Sequence, residues 1–569
     1  MTAPDKAPDT RTPPTDDYPC ADHASIAAED VVASRLATAA EWSVAAVLTA
    51  ASVALHITAW RHMGALWRDE ANAVEMGRMT LAQAWVHLPF DSVLMGPIVV
   101  LRAMALAGLS DNDLALRTLG MTFGLLILAA LWWASLRLSG RPPLLALVLF
   151  GLSPVGVRYG DSLRAYPFAT LTLVIAFILV SQAQRDASRR AVALASLASA
   201  VAVQCSYLNA VLIGALCAGG LTAVLASRSM GRLSPILAPG IAAAASASVY
   251  LGRMRATSAI LGVQVRPLSF DYVVRRLGWA LATPSRPVGA VWVLSLAVAL
   301  GISAHRLRER PAQERLRVLF LAPALAGAVT LYLLFLKHAG VEPFPWHFTP
   351  LLAFAALALD ALTGRGLAAA HGVRAAIAAL VALAGLVVFP HADELVRFRQ
   401  TNIDRVAAIL AERAVRGDLV VVSPYHCGVS FQRYYRGAAE WATLPPVEDH
   451  RVHRYDMVKS AMLSPDPLAP VLHRADEALR SGHKVFVVVD GPIFRHPPAR
   501  PVTPAVPDPD WGWYAGMHFH IWALQFGFFL QTHATRADQI VIPGDEDVSP
   551  FERMLLLTVE GHVPGESDG

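Results

Sequence analysis

Arg68-Asp69-Glu70 sets two adjacent carboxylates behind an arginine, just past the first long apolar stretch of the chain. A carboxylate at a membrane interface can take a proton from a hydroxyl or an amine. Arginine suits phosphate, because its planar fork holds two oxygens and stays charged. Two further arginines, Arg117 and Arg164, stand at the ends of apolar stretches, where snorkelling keeps the charge at phosphate depth. A base beside fixed cations can serve a transfer in which a phosphate departs. Carboxylate pairs at interfaces are also common as plain solvated helix ends. The pair therefore takes its meaning from the elements that position it.

Those elements belong to a membrane. The 569 residues are 55% hydrophobic and 16% charged, against about 25% charged in soluble domains. The deficit lies in repeated apolar blocks that approach the roughly 20 residues needed to cross a bilayer. The net charge is +4 and the basic residues sit in short loops, so nucleic acid is excluded as an expected partner. Cys20, Cys205, Cys217 and Cys427 lack CxxC spacing, which argues against a disulfide framework or a cysteine zinc site.

Apolar spans are expected at about 42–60, 118–136, 144–157, 166–182, 191–206, 209–226, a stretch ending near 250, 288–304, 316–336, 348–362 and 375–389. That makes about eleven. Arginines gather in alternate short loops, at 137–141, 185–190, 228–232, 306–317 and 365–374, which the positive-inside rule places in the cytoplasm. The first loop (61–116), the Arg164 turn, the 253–287 loop and everything after about His391 then face outward. The scheme works with Val93–Leu109 lying on the surface; its length also allows a short span. The expected domains are a disordered cytoplasmic tail (1–40), a transmembrane domain (41–390) and an extracytoplasmic α/β domain (391–569) with a proline-rich loop at 496–510. Strands are expected at 419–423, 485–489, 539–542 and 554–559.

Neither GxxxxGK[ST] nor a GxGxxG following a strand is present, so a nucleotide substrate has no motif here. An activated group used on the outer face would then arrive on a lipid. His518-x-His520 could bind metal from one face of a strand but lacks a third ligand, and His450-x-x-His453 reads as a solvated loop. His56, inside the first span, is an intramembrane ionisable group that reads best as packed and neutral. Asp161, one helical turn from Arg164, could orient that arginine or form a surface ion pair.

Three stretches carry a family resemblance: Arg68-Asp69-Glu70-Ala71, Asp113-Leu114-Ala115-Leu116-Arg117, and Ser153-Pro154 through Tyr159 to Arg164-Ala165-Tyr166. Together they resemble the GT-C superfamily of membrane glycosyltransferases, the group that includes protein O-mannosyltransferases and the lipid A aminoarabinose transferase. Similarity runs over about residues 42–185, weakens to hydropathy as far as about 390, and recurs at Gly417–Val421 and Arg433-Tyr434-Tyr435. The resemblance implies a polyprenyl-phosphate sugar as donor, a lipid, glycan or protein acceptor, and inversion at the sugar carbon. It implies Asp69 as base with Glu70 assisting, Arg164, Arg117 and Tyr166 on the donor phosphate, and Asp161 and Tyr159 orienting them. It leaves a divalent cation open, since some members hold one. Two departures stand out. Asp91-Ser92-Val93-Leu94-Met95-Gly96-Pro97 occupies the place of a His-Pro-Pro-Leu or Lys-Pro segment, and Trp346-His347-Phe348 that of an Arg-Tyr. His347 and Lys337 are the expected substitutes on phosphate. The resemblance also implies a bacterial inner-membrane setting. The rival classes are a transporter or flippase of a lipid-linked substrate, and a carrier-binding member without catalysis. The charges gather at one face without an internal repeat, which fits a transporter poorly.

Overall fold

The computed structural model describes residues 20–91, 93–283, 285–309, 312–364, 371–544 and 547–563. Among these, eight helices are long and apolar enough to cross a membrane, or nine if the bent pair Met230–Ser248 and Leu251–Gln264 is one span. The other two expected spans are helical, but neither is a single long apolar helix. Residues 144–160 break into Leu144–Ala146, a π-helical turn at Leu147–Gly151 and Pro154–Gly160. The other is the 17-residue helix Arg189–Cys205. The Ser153-Pro154 step causes the first break: Ser153 caps a new helix through the Gly156 N–H, and Pro154 takes the first-turn position where its missing N–H is harmless.

Helix α1 runs from Cys20 to His62. Residues 20–40, expected as tail, therefore extend the first span as helix; residues 1–19, like Arg365 and Ser92, lie outside the described residues. Met95–Leu106 is a helix of 12 residues, about 18 Å long at 1.5 Å per residue and too short to cross.

The arginine loops meet at the helix ends remote from Asp69. Arg374 makes two hydrogen bonds to Glu41, at 3.0 and 2.7 Å, and Arg141 reaches the same carboxylate at 3.4 Å. Arg185 donates to the Arg137 carbonyl at 3.2 Å.

A five-stranded sheet of order β2-β1-β3-β5-β4 lies beyond the last span, with β1 Leu419–Ser423, β2 Glu440–Thr443, β3 Val485–Val489, β4 Ala534–Ile540 and β5 Leu555–His562. β2, β1 and β3 run parallel; β5 is antiparallel to β3 and to β4. Every residue of β1 and β3 is buried. Alternation splits them between two cores, Leu419 and Val421 facing one and Val420 and Val422 the other, so a continuous apolar run is what a strand covered on both faces requires. β4 begins five residues before the expected strand, and β2, short and half polar, was not anticipated.

Asp161 shows how closely the helices pack. Its Oδ1 is 2.7 Å from His56 Nδ1, deep between α1 and the Asp113–Leu138 helix. A Cβ on Gly124 would strike both Asp161 Oδ1 and the His56 ring, and one on Gly120 would strike the Asp161 carbonyl. Gly124→Ala should therefore destabilise the protein by about 1–3 kcal/mol, the usual cost of overpacking, read as a lower thermal midpoint in detergent.

Candidate active site

Helix α2 (Arg68–Arg78) carries both carboxylates in its first turn, the favourable end of the helix dipole for negative charge. Its N-cap, Trp67, offers no side-chain bond. The cap comes instead from a distant segment. Glu552 accepts the Arg68 N–H at 3.0 Å, its Oε2 lies 3.3 Å from Arg68 Nη1, and the Phe551 carbonyl accepts from that same Nη1 at 2.9 Å. Glu552 is fully buried and also takes the Ser430 hydroxyl at 3.2 Å. The region after the last span thus completes the first turn of the helix that presents Asp69.

The two carboxylates do different work. Glu70 is fully buried. Its Oε1 accepts from Arg117 Nη1 at 2.9 Å and from the Leu163 N–H at 3.1 Å. Arg117 spends its remaining donors on backbone, Nε to Gly64 O at 3.0 Å and Nη2 to Ala65 O at 2.6 Å. This corrects the expectation for both residues. Glu70 is a strut holding the turn before Arg164, and Arg117 is sealed beneath it, neither being presented to a substrate.

Asp69 keeps 23% of its side-chain surface exposed. Its oxygens lie 3.9 Å from Arg164 Nε, 4.0 Å from Arg68 Nε and 3.4 Å from His453 Nε2. Burial works to raise this carboxyl, but Arg164, His453 and Arg68 outweigh it and hold it below the usual carboxylate range. Asp69 is thus ionised throughout the neutral range.

Arg164 caps the Ala165–Asp186 helix in extended backbone. Its fork is committed to Asp91, with Nη1 to Oδ2 at 2.7 Å and Nη2 to Oδ1 at 2.9 Å, and Nη1 also reaches the Asp69 carbonyl at 3.2 Å. Asp91 accepts from Asn72 as well, and the Asn72 oxygen takes the His453 N–H at 2.9 Å. The departure at 91–97 thus supplies the counter-ion of Arg164. The expected free phosphate fork is corrected to a buried buttress beside Asp69.

Tyr166 is within hydrogen-bonding reach of Arg164 and meets His347 edge-on at 6.2 Å. Tyr159 packs on Tyr166 and, at 5.3 Å, on Trp346; it lines an aromatic wall and makes no contact that orients Arg164. Asp161 is paired with His56 rather than with Arg164, and His56 is packed, at 4% exposure. His347 Nδ1 accepts the Phe344 N–H at 2.9 Å. Lys337 is exposed and forms no ion pair or hydrogen bond among the described residues.

Sequence reading missed Arg266, Arg276 and His453. The two arginines converge on Glu342, Arg266 at 3.4 Å. Tyr272 and Tyr514 donate to the same carboxylate, Tyr514 at 3.2 Å. Arg276 lies 4.9 Å over Phe344, whose ring stacks on Trp346 at 4.7 Å, so this cationic group continues the wall that begins at Tyr166. The Nε of each arginine is buried without a partner. His453 is buried rather than solvated, because the 449–456 segment folds onto α2. Arg433-Tyr434 meets Asp113: Arg433 Nη2 is 2.7 Å and the Tyr434 hydroxyl 2.6 Å from it. Two separated stretches of the resemblance are thereby in contact.

Among the described residues no three His, Cys, Asp or Glu side chains are grouped to hold a metal ion. Glu70 is paired with Arg117, its Oε1 taken by Arg117 and the Leu163 N–H and its Oε2 lying 2.9 Å from Arg117 Nη1. His518 and His520 lie on a helix, His518 buried and His520 exposed, so they share no face.

Glu552 is the group here that titrates near neutrality. Burial pushes it from 4.5 up to about 7 against the pull of Arg68. A carboxyl raised in the folded state contributes stability that is complete below its unfolded pKa and lost as pH rises through the folded one. Wild type should lose about 3 kcal/mol from this group between acid and mildly alkaline pH, at 1.36 kcal/mol per unit. Glu552→Gln should flatten that slope in thermal melts across pH.

No protein-family model matches the chain, and no curated protein matches it. Solved structures similar to it include the following two. One is the Archaeoglobus fulgidus oligosaccharyltransferase, crystallised with Zn and sulfate, at 14% identity over 79% of this chain and 68% of that one, with a TM-score of 0.45. The other is ArnT from Cupriavidus metallidurans in the apo state, at 14% identity over 78% and 92%, with a TM-score of 0.47.

Proposed function

We propose that the protein is a GT-C-type membrane glycosyltransferase that moves a sugar from a polyprenyl-phosphate donor to an acceptor at the outer face of the bacterial inner membrane, with inversion and with Asp69 as base. The observation that carries this reading is the partition of the carboxylates. Glu70, Asp91 and Glu552 are buried in structural bonds, and Asp69 alone of the four stays partly exposed while held between Arg164 and His453.

A carboxylate held below its usual range is always ionised but weakly basic. It serves a reaction in which the glycosidic bond is largely broken before the acceptor proton moves, since the acceptor oxygen becomes acidic as it bonds the sugar carbon. The departing phosphate needs cations. Arg164 is neutralised by Asp91, so the phosphate is assigned to Arg266 and Arg276, two cations that share the one carboxylate of Glu342. Tyr166 and His347 adjoin the aromatic wall on which Arg276 packs. The N-terminus is assigned to the cytoplasm and the sheet region to the outer side, on the arginine-rich loops at the opposite helix ends.

The test uses synthetic polyprenyl-phosphate sugars with purified protein in vesicles. Cleavage of the sugar–phosphate bond, or transfer to an added acceptor, supports the enzyme. Movement of intact donor between leaflets without cleavage identifies a flippase. Arg276→Ala should raise the KM for donor by about tenfold or more, the loss expected for one charge-assisted bond, with a smaller change in kcat.

A further inference from the structure

Beyond Asp69 the 425–455 region presents polar atoms that the reading above does not use. His453 is 4% exposed, its Nε2 lies 3.4 Å from Asp69, and neither of its ring nitrogens makes a well-formed hydrogen bond. The His426 ring stands 6.4 Å away and perpendicular to it, with Nδ1 buried and unpartnered. Three aromatic rings complete the enclosure: Tyr455 is 5.8 Å from His453, and Tyr425 and Phe519 are 5.7 and 5.5 Å from His426. His426 and Phe519 are partly exposed, as Asp69 is.

Buried imidazole nitrogens are costly to leave unbonded unless something fills them. We infer that His426, His453 and the surrounding rings form the acceptor subsite, and that the acceptor is a neutral carbohydrate whose attacking hydroxyl lies against Asp69. The word acceptor rests on the transferase reading; the carbohydrate specificity rests on the enclosure itself.

Chemistry separates this ligand from the alternatives. Burial first, then the charge of Arg68, holds His426 well below 6.5, so the ring is neutral and presents one donor and one acceptor. Sugar hydroxyls both give and take hydrogen bonds and match that pair. The aromatic faces suit the apolar C–H faces of a sugar ring, in the usual manner of pockets with a few placed polar groups. A phosphate or carboxylate would need a cation, and Arg68 and Arg164 are already bound to Glu552 and Asp91. In the reaction the acceptor oxygen bonds to the sugar carbon while the sugar–phosphate bond breaks. Its proton passes to Asp69 and the electron pair leaves on phosphate.

The test is binding, so that it does not depend on turnover. The full-length protein in nanodiscs is titrated with methyl glycosides of neutral hexoses and pentoses, with a Ser/Thr peptide and with an alkylamine, using saturation-transfer NMR. Wild type should bind at least one glycoside. His426→Ala should bind it about tenfold or more weakly, the loss expected when a buried hydrogen bond goes, and His426→Gln should recover part of the affinity. Thermal melts of both His426 variants identify any folding failure, and Phe519→Ala, which removes a stacking face, then serves as the second variant. Binding of the peptide or amine in place of every glycoside overturns the proposal, as does glycoside binding unaffected by these variants or no binding at all. Glycoside binding by a protein that never cleaves a polyprenyl-phosphate sugar leaves the subsite standing and removes the transferase. Donor cleavage without glycoside binding does the reverse.

Discussion

Asp69→Asn should lower sugar transfer by about 10²–10⁴-fold, the usual contribution of a positioned base, while donor binding and thermal stability stay close to wild type. Stability is spared because Asp69 makes no tight bond through its side chain. Its contacts to Arg164, Arg68 and His453 lie at 3.4–4.0 Å, and part of its surface is open. The loss should appear in kcat more than in donor KM, since the proton moves only in the transition state. No pH should rescue the variant. In the wild type, because Asp69 is held below the usual carboxylate range, activity should not fall through its ionisation anywhere in the neutral range. An Asp69→Asn enzyme as active as wild type would mean that the base lies elsewhere.

Glu70→Ala should instead fail by unfolding. It strands the Arg117 guanidinium, 4% exposed, without its counter-ion, and breaking one side of a buried pair costs about 3–5 kcal/mol. It also frees the Leu163 N–H that holds the turn before Arg164. The expected result is a large drop in thermal midpoint and in recovery from detergent extraction. Glu70→Ala combined with Arg117→Met should regain much of that loss, because replacing both members of a buried pair with apolar groups is often neutral. Should Glu70→Gln keep its thermal midpoint and still lose transfer, Glu70 would belong to the chemistry after all. The contrast between neighbouring residues, one lost in rate and the other in stability, separates the site from its scaffold.

The apolar periodicity and the arginine loops were enough to find nearly every membrane helix, since a bilayer leaves the backbone no alternative to helix and demands a minimum apolar length. The valine runs of β1 and β3 were legible for a related reason, because a strand buried on both faces must be apolar throughout. Residue type and position likewise singled out Asp69 and Arg164. What each side chain does was decided elsewhere. Glu70 and Asp69 are adjacent in sequence, but successive helical positions point about 100° apart, so one enters the core and the other stays partly exposed. Arg164 reads as a free cation until Asp91, 73 residues away, closes on it. Glu552, to which the sequence drew no attention, caps α2 from 484 residues away. His453 became a neighbour of Asp69 only through the docking of the 449–456 segment. Local sequence carries propensity and burial; it carries no record of which distant charge a buried group will meet, and that pairing determines whether the group is a strut or a reagent.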